Sequence, residues 1–460
     1  MSESSSKKTV DVLVGSPRAD FFHLVQSILT GYNVYNLIHF SEVEKILEPD
    51  DPNCKPVLAI IDGKDGTGPT NEWVQSSKMA FDCPVIVLHT AENPIDFAIV
   101  KKNGANHIMH LVYDREFISD MILESAPVVF EDHIPITALM PVDLRDLEKD
   151  TEINFDLYVH LPQNQKTLIF RKNGSVMDDK AIQKFNDMKQ QMYIKKTERK
   201  AFFEYARTVL SMRDIPLPVS MTEKFHRSKR TIFDIMTCFL NGAPADYAVG
   251  KEILEQCKVI ISENMELIKD MSPKELFDEI CRFAGNTRSN YHDAICVAGY
   301  AAFFAQLLGM KVEDREKAAM AGLLHNVGLA QMPLTSAGKI ENEYSEAEFS
   351  EYKQYPIRSE HMVKNKKVPL EPEIALAIGQ HRETCDGKGF PKAMQLGAAG
   401  QMSKLLAIAY EFHKLTALYQ GASAYTPRTA IEHIRNNAMT GTSTHDLITV
   451  GQIFKSIQNL

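Results

Sequence analysis

Short apolar runs alternate with amphipathic stretches over the first 127 residues of the chain. The runs have the lengths and the β-branched content of buried strands, and the stretches between them have helical spacing. Strands and helices that alternate in this way are typical of a parallel sheet covered by helices. The strand-like segments are VDVLVG, PVLAIID, PVIVLHT and GANHIMHLV, and the helical ones include FFHLVQSIL and FISDMILESA. We therefore predict an α/β domain over residues 1–127.

A different pattern begins after residue 127. Two extended segments, FDLYVHL and TLIFRKNG, flank a polar turn and predict a β-hairpin. A helical segment (DDKAIQKFNDMKQ), a strand-like one (MYIKKTE) and a second helix (RKAFFEYARTVL) follow. We predict a small α/β module over residues 128–210.

From residue 211 the apolar positions recur at helical spacing. Residues 211–275 predict a helical connector, which carries conformational change or simply forms the base of the next domain. The stretch near residues 250–275 is compatible with a dimer seam and equally with packing inside one chain. Residues 276–460 predict an all-helical bundle, so the fold class is α/β followed by all-α in several domains.

Composition narrows the classes of partner. The 460 residues carry a formal net charge of −9, which argues against binding of a nucleic acid polymer through a basic surface. The N-terminal run MSESSSKKTVDVLVG has no apolar segment long enough for a signal peptide or membrane anchor. The seven cysteines form no closely spaced pair, so we expect reduced thiols in a cytoplasmic protein without membrane insertion.

Asp62 is the first candidate for chemistry. It follows the apolar run VLAII, and the carboxyl ends of parallel strands form the ligand-binding edge of such a sheet. Thr90 follows VIVLH at the same edge. An aspartate at a strand end also commonly caps the next turn, and the sequence leaves both interpretations open.

This first segment resembles a response-regulator receiver domain, a flavodoxin-like fold. Asp62 matches the phosphoacceptor position, Thr90-Ala91 the family's Thr/Ser-Ala pair, and Gly104-Ala105 the Gly-Ala before its last strand. Gly15-Ser16-Pro17 stands where receivers have acidic Mg²⁺ ligands, and Leu111-Val112 where they have Lys-Pro. Phosphoryl transfer to a carboxylate needs a divalent cation, so we predict a pseudo-receiver that serves docking or dimerisation.

Histidines mark the C-terminal domain. His292 opens one apolar helix, His325 with Asn326 lies within the run AAMAGLLHNVGLA, and His381 ends the run IALAIGQH. The domain resembles the HD-GYP branch of the HD phosphohydrolase superfamily, whose members use two or three metal ions to hydrolyse cyclic di-GMP. His325-Asn326-Val327-Gly328 matches the family's His-Asp-Ile-Gly, and Asp386-Gly387-Lys388-Gly389-Phe390-Pro391 its Asp-Gly-x-Gly-Tyr-Pro.

The resemblance fails at several metal-ligand positions. Asn326 replaces the bridging aspartate, and a neutral amide cannot share two anionic oxygens between metals. The other replaced positions are Leu329, Tyr355, Arg382 and Tyr410. His292, His325 and His381 remain, so we expect no metal or one weakly bound divalent ion, and no two-metal centre.

Two further sets of residues follow from the resemblance. The loop of Asp386, Gly387, Gly389, Phe390 and Pro391 keeps its glycines for a tight turn, and in the family it serves partner docking. Arg358, Arg382 and Lys388 are candidate phosphate-binding residues, for which ordinary solvation is the simpler interpretation.

Three hypotheses of function follow. The first is a non-catalytic signalling protein whose degenerate HD-GYP-like domain senses cyclic di-GMP or docks signalling proteins, such as diguanylate cyclases of that pathway. The second is an active cyclic di-GMP phosphodiesterase that recruits replacement ligands from Asp293, Glu383, Glu411 or His413, the last two after a helix register shift. The third is a regulator controlled by phosphorylation of Asp62.

Overall fold

The computed structural model divides the chain into two compact units. It describes residues 9–130, 134–161, 164, 166–180, 183, 191–212, 220–243, 246–268, 272, 274–275, 277, 289–417, 425–440 and 444–458. The first unit holds residues 1–110 and 114–227, and the second holds 111–113 and 228–460. The predicted divisions at residues 127 and 210 both lie inside the first unit.

A five-stranded parallel sheet forms the first part of unit 1, as predicted. Its strand order is β2-β1-β3-β4-β5, which is the order of a flavodoxin-like fold. The central strands β3 and β4 are buried along their whole length, which explains their uninterrupted apolar sequence. The strands are β1 Val10–Gly15, β2 Tyr35–Phe40, β3 Leu58–Asp62, β4 Val85–His89 and β5 His107–His110. The helices between and after them are α1 Ala19–Ile28, α2 Glu44–Leu47, α3 Thr67–Phe81, α4 Phe97–Lys102 and α5 Arg115–Ser125.

The small module contains an antiparallel sheet of order β6-β9-β7-β8 and one described helix. The predicted hairpin is present as β7 and β8, and the strand-like segment MYIKKTE contributes β9. Phe155, Phe202 and Tyr205 lie at the centre of the apolar core. The elements are β6 Leu139–Val142, β7 Leu157–Leu161, β8 Lys166–Arg171, β9 Met192–Lys195 and α6 Arg199–Ser211. The predicted helix DDKAIQKFNDMKQ lies mostly outside the described residues.

The remainder of the chain is helical, as predicted. Its helices are α7 Met221–Leu240, α8 Tyr247–Ile268, α9 Asn290–Leu307, α10 Val312–Leu324, α11 Glu346–Tyr352, α12 Tyr355–Asn365, α13 Pro372–Gln380, α14 Gln401–Thr416, α15 Pro427–Met439 and α16 Leu447–Gln458. Helix α9 packs against both α10 and α14, and it is buried along nearly its whole length. No helix in the described part of the chain is long and apolar enough to cross a membrane.

The α9–α10 contact depends on a glycine. A Cβ built on Gly322 of α10 would lie 2.6 Å from Ala298 Cα and 2.7 Å from Ala298 N on α9. These are backbone atoms of a buried helix and cannot move aside. By contrast, a Cβ on Gly299 of α9 would meet no atom within 4 Å. Gly322 therefore permits the close approach of the two helices, whereas Gly299 is not needed for it.

We expect Gly322→Ala to lower the free energy of unfolding of the second unit by about 1–3 kcal/mol, because the methyl group overpacks a backbone contact. Gly299→Ala should raise it by up to about 1 kcal/mol, since alanine favours a helix and finds open space. Calorimetric unfolding of the two variants beside the wild type measures both effects. Equal stability of the two variants would contradict the packing described above.

Candidate functional site

Asp62 lies at the carboxyl end of β3, where its carboxylate binds a guanidinium. Arg18 Nε donates to Asp62 Oδ2 over 2.9 Å, and Ser16 Oγ donates to the same oxygen over 2.7 Å. The backbone N–H of Lys64 donates to Asp62 Oδ1, as it does where an aspartate caps a turn. Asp62 is therefore buried with both oxygens engaged. The sequence analysis did not identify Arg18, which comes only three residues after β1 and carries no signal of its own.

Asn326 follows the C-terminal end of α10, and both the oxygen and the nitrogen of its side-chain amide form hydrogen bonds. Its Oδ1 accepts from the hydroxyl of Tyr113 over 2.9 Å, and its Nδ2 donates to the carbonyl of Asn290 over 2.7 Å. Asn290 in turn donates to the carbonyl of Tyr113. A carboxylate at position 326 could not donate to the Asn290 carbonyl. The local structure thus requires an amide at the position where the resemblance has the bridging aspartate.

Arg382 is buried among tyrosine rings. Its Nη1 lies 2.7 Å from the hydroxyl oxygen of Tyr352, 2.9 Å from that of Tyr410 and 3.4 Å from that of Tyr355. The guanidinium carbon also lies 4.4 Å from the centre of the Tyr410 ring and 4.5 Å from that of Phe390. Contacts between a desolvated cation and aromatic faces are worth about 2 kcal/mol or more. The guanidinium is held by hydrogen bonds, by ring faces and by a carboxylate.

That carboxylate is Glu341, whose Oε1 lies 3.3 Å from Arg382 Nη2. Burial raises the pKa of Glu341, but the charges of Arg382 and Lys414 outweigh it and leave the pKa below its ordinary value. Glu341 is therefore ionised at neutral pH and neutralises the guanidinium. Nothing in the sequence spacing linked Glu341 to Arg382, since 41 positions separate them.

The tyrosine hydroxyls also bind the histidine next to Arg382. Burial raises the pKa of Tyr352 and Tyr355 well above the ordinary value, so both stay protonated. Burial, assisted by the proximity of His325 and Arg382, lowers the pKa of His381 well below its ordinary value. His381 Nδ1 lies 2.7 Å from the carbonyl of Ile378, and its Nε2 lies 2.8 Å from the Tyr355 hydroxyl. A neutral His381 that donates through Nδ1 accepts the Tyr355 proton at Nε2, the nitrogen a metal would need.

The glycine-rich loop after His381 is held by a carboxylate. Glu383 is buried, and its two oxygens accept from the backbone N–H groups of Lys392 and Met394 over 2.7 and 3.0 Å. Gly387 has φ +72°, and a Cβ on Gly389 would lie 2.5 Å from Glu383 Cα. Asp386 Oδ1 accepts from the hydroxyl of Thr384 and closes the turn. Phe390 and Pro391 complete the loop, with Phe390 against the Arg382 guanidinium.

His292 lies with residues other than the two histidines expected beside it. Together with Cys296 and His413 it forms a buried group whose ligand atoms all lie within 4.8 Å of one another, and no other such group of three occurs in the described ranges. His325 and His381 instead face each other, with ring centres 5.2 Å apart. The metal ion predicted on His292, His325 and His381 stays a prediction.

The expected register shift at His413 is wrong. His413 is only 1% exposed without any shift, and its Nε2 lies 2.8 Å from Asp293 Oδ1. Residues three apart on a helix share a face, so the burial of Tyr410 also buries His413. Cys296 was not identified as a candidate at all. The sequence could have indicated Cys296 through its position four residues after His292, because residues four apart on a helix lie side by side.

The predicted phosphate-binding side chains do not line the cavity. Arg358 pairs with Glu351, Arg382 is paired internally, and the Lys388 side chain is 78% exposed. A cavity of about 110 Å³ lies beside the histidines, and Asp293 and Lys339 contribute to its wall. Its other lining residues are Ser289, Asn290, His325, Asn326, Leu329, Ile340, Glu341, Tyr344, Tyr352, Tyr355 and Tyr410.

Comparison with known proteins agrees with this arrangement of helices. Residues 257–442 match the model of the HD domain family. The segment that matches this model is called the HD domain below. Among solved structures, an HDG"Y"P protein from Bdellovibrio bacteriovorus is 17% identical, with a TM-score of 0.42, over 70% of this chain and 99% of that one. A CheY-like response regulator from Mesorhizobium loti is 17% identical, with a TM-score of 0.22, over 26% of this chain and 99% of that one. No curated protein matches the chain.

The residues at the positions where the sequence resemblance predicts metal ligands do not fit a metal pair. A pair needs several anionic or imidazole ligands and a bridging carboxylate. Here the bridging position holds an amide with both ends satisfied, His381 Nε2 accepts from a tyrosine, and a permanent cation lies beside it. The guanidinium of Arg382 would repel a second or third positive ion in this buried space.

Restoring the family's aspartate should harm the fold. We expect Asn326→Asp to lower the free energy of unfolding by about 1–3 kcal/mol, because the Asn290 carbonyl loses its donor and a charge is buried without a partner. A buried aspartate of this kind has a raised pKa, so the loss should grow as the pH rises from about 5 to about 8. Urea unfolding at several pH values measures it.

Tyr113→Phe is the matched control, since it removes the donor to the same amide without burying a charge. Its effect should be about 1 kcal/mol and independent of pH over that range. An Asn326→Asp variant as stable as the wild type at the upper pH would mean that the amide is not required by the local structure.

Proposed function

We propose that this protein is a non-catalytic signalling protein, in which a degenerate HD-GYP-type domain works as a protein-docking module together with a receiver-like domain. The proposal is carried by the buried Arg382 guanidinium, which lies next to His381 and contacts Tyr352, Tyr355 and Tyr410. A fixed positive charge at this place opposes the binding of catalytic cations. The retained loop of Gly387 and Gly389 supports docking, because its geometry persists without a catalytic centre beside it.

The alternative, an active cyclic di-GMP phosphodiesterase, needs replacement ligands for a metal pair. Glu383 has both oxygens committed to backbone N–H groups of the loop. Asp293 and His413 bind each other. Recruiting Glu383 or Asp293 as a metal ligand would leave buried polar groups without partners, at a cost of about 1–3 kcal/mol for each. The contacts of these residues therefore favour the non-catalytic reading.

Docking of a protein is better supported than sensing of a nucleotide. Ligand pockets for molecules of drug size commonly enclose about 300–1,000 Å³, and the cavity beside the histidines has about 110 Å³. Arg358 and Arg382, which the sequence predicted as phosphate-binding residues, are each paired with a glutamate. The partners we propose are cytoplasmic signalling proteins, including those of cyclic di-GMP pathways.

The receiver-like domain supports the same conclusion. Arg18 neutralises Asp62, and the acidic residues that would hold Mg²⁺ are replaced by Gly15, Ser16 and Pro17. A phosphoryl group on Asp62 would have to displace the guanidinium and the Ser16 hydroxyl. We propose that this domain contributes a constant surface and not a phosphorylation switch.

We expect the purified chain to show no hydrolysis of cyclic di-GMP in the presence of Mn²⁺, Fe²⁺ or Mg²⁺, and no heat of binding for the nucleotide in calorimetry. A known active phosphodiesterase of the HD-GYP type serves as the positive control. Binding without hydrolysis would replace docking by nucleotide sensing. Turnover that vanishes in His325→Gln would overturn the non-catalytic assignment.

Treatment with acetyl phosphate and Mg²⁺ should leave the intact mass of the protein unchanged, because Arg18 occupies the carboxylate. Arg18→Ala is the informative variant, since it frees Asp62 while leaving the strand in place. We expect the mass of this variant to stay unchanged as well, because the acidic residues that would bind Mg²⁺ are missing. An adduct on the wild type that is absent from Asp62→Asn would establish a working phosphoacceptor.

A further inference from the structure

Three side chains of types that bind metals meet in the core of the HD domain. His292 and Cys296 lie one helical turn apart on α9, and His413 reaches them from α14, which packs against α9. All three are at most 3% exposed. Of the three, the family resemblance assigns a metal only to His292. The proposed function uses none of them.

The distances suit a metal ion. Cys296 Sγ lies 3.4 Å from Nε2 and 3.6 Å from Nδ1 of His292, and the rings of His292 and His413 have centres 5.6 Å apart. In a tetrahedral zinc site a Zn–S bond of about 2.3 Å and a Zn–N bond of about 2.0 Å place the two ligand atoms about 3.5 Å apart. His292 and Cys296 therefore already have the spacing of two zinc ligands. His413 places a ring nitrogen within 4.8 Å of both of these ligand atoms.

Asp293 provides the outer support that such sites usually have. Its Oδ1 lies 2.8 Å from His413 Nε2, which holds the imidazole ring in place. Metal-bound histidines are commonly fixed by a carboxylate in this way. Asp293 also lines the cavity of about 110 Å³.

The charges balance as well. A divalent ion brings two positive charges, and a Cys296 thiolate with the Asp293 carboxylate supplies two negative ones. A buried ion with matched charges avoids the large cost of an isolated buried charge. At the position where the resemblance predicts the metal pair, the Glu341 carboxylate already balances the charge of Arg382. It is therefore not available to balance the charge of a metal ion.

We propose that His292, Cys296 and His413 bind one zinc ion, with Asp293 orienting His413. A thiolate with two imidazoles favours zinc, and in the laboratory cobalt, over magnesium or calcium, which prefer oxygen ligands. Binding moves the thiol proton of Cys296 to solvent as the thiolate–metal bond forms, with no change of oxidation state. The ion joins α9 to α14 and stabilises the domain. A single ion of this kind supplies no metal pair, so the proposal is independent of the proposed function.

The test uses the full chain and reads the metal directly. Metal-free protein is titrated with zinc, its metal content is measured by elemental analysis, and X-ray absorption at the zinc edge identifies the ligands. We expect about one zinc per chain, with one sulfur neighbour at about 2.3 Å and nitrogen neighbours at about 2.0 Å. Cobalt in place of zinc should give the near-ultraviolet absorption of a thiolate–cobalt bond.

Variants locate the site. Cys296→Ser and His413→Gln should each weaken zinc binding by at least about tenfold. Cys257→Ser, at a fully buried cysteine on α8, and His325→Gln, at the family's position, should leave it unchanged. The cobalt spectrum is measured on the wild-type protein. The test therefore does not depend on whether a variant folds.

Two results would overturn the proposal. One is a wild-type protein that takes up no zinc or cobalt at micromolar concentration. The other is a bound metal without a sulfur neighbour that is lost in His325→Gln, which would place the ion at the family's histidines. Either result leaves the hydrolysis assay unaffected, so failure of this site and failure of the proposed function are distinguishable.

Discussion

The arrangement of the HD domain's centre depends on one buried positive charge. Arg382 has four kinds of neighbour: a carboxylate, tyrosine hydroxyls, aromatic faces and the histidine beside it. Removing any single partner of a buried charge typically costs about 3–5 kcal/mol. The guanidinium therefore requires neighbours that accept hydrogen bonds or carry negative charge. Glu341, Tyr352 and Tyr410 are such neighbours. Tyr352 lies on α11 and Tyr410 on α14, so both helices contact the guanidinium through these side chains.

The same chemistry occurs in the receiver-like domain. There a guanidinium from Arg18 binds Asp62, and the hydroxyl of Ser16 completes the group. In both units an arginine lies at or beside a position where the sequence resemblance predicts a residue for cation or phosphoryl chemistry. Arginine carries a permanent charge and forms directional hydrogen bonds, so it stabilises a site without supplying exchangeable coordination positions. Both sites are consistent with structural roles.

Two other polar side chains of the HD domain bind backbone groups. Asn326 bridges Tyr113 and the Asn290 carbonyl, and Glu383 binds the loop that contains Gly389. Asn326, which stands where the resemblance predicts a ligand, is thus bonded to backbone and side-chain groups of the fold. The group of His292, Cys296 and His413 differs because its atoms converge on one another, with Asp293 behind His413. That convergence separates a candidate metal site from a satisfied core.

The sequence by itself determined the order of elements, because alternating apolar runs and helical spacing are local properties of the chain. It also showed where the chain departs from the motifs it resembles, since Asn326, Arg382 and Tyr410 can be read from the sequence. Only the tertiary structure decided what those residues do instead. Arg382 meets Glu341 across 41 positions and Asp293 meets His413 across 120, and contacts at such separations depend on how the helices pack. Packing also decided that His292 lies with Cys296 and His413, because the facing surfaces of α9 and α14 bring them together.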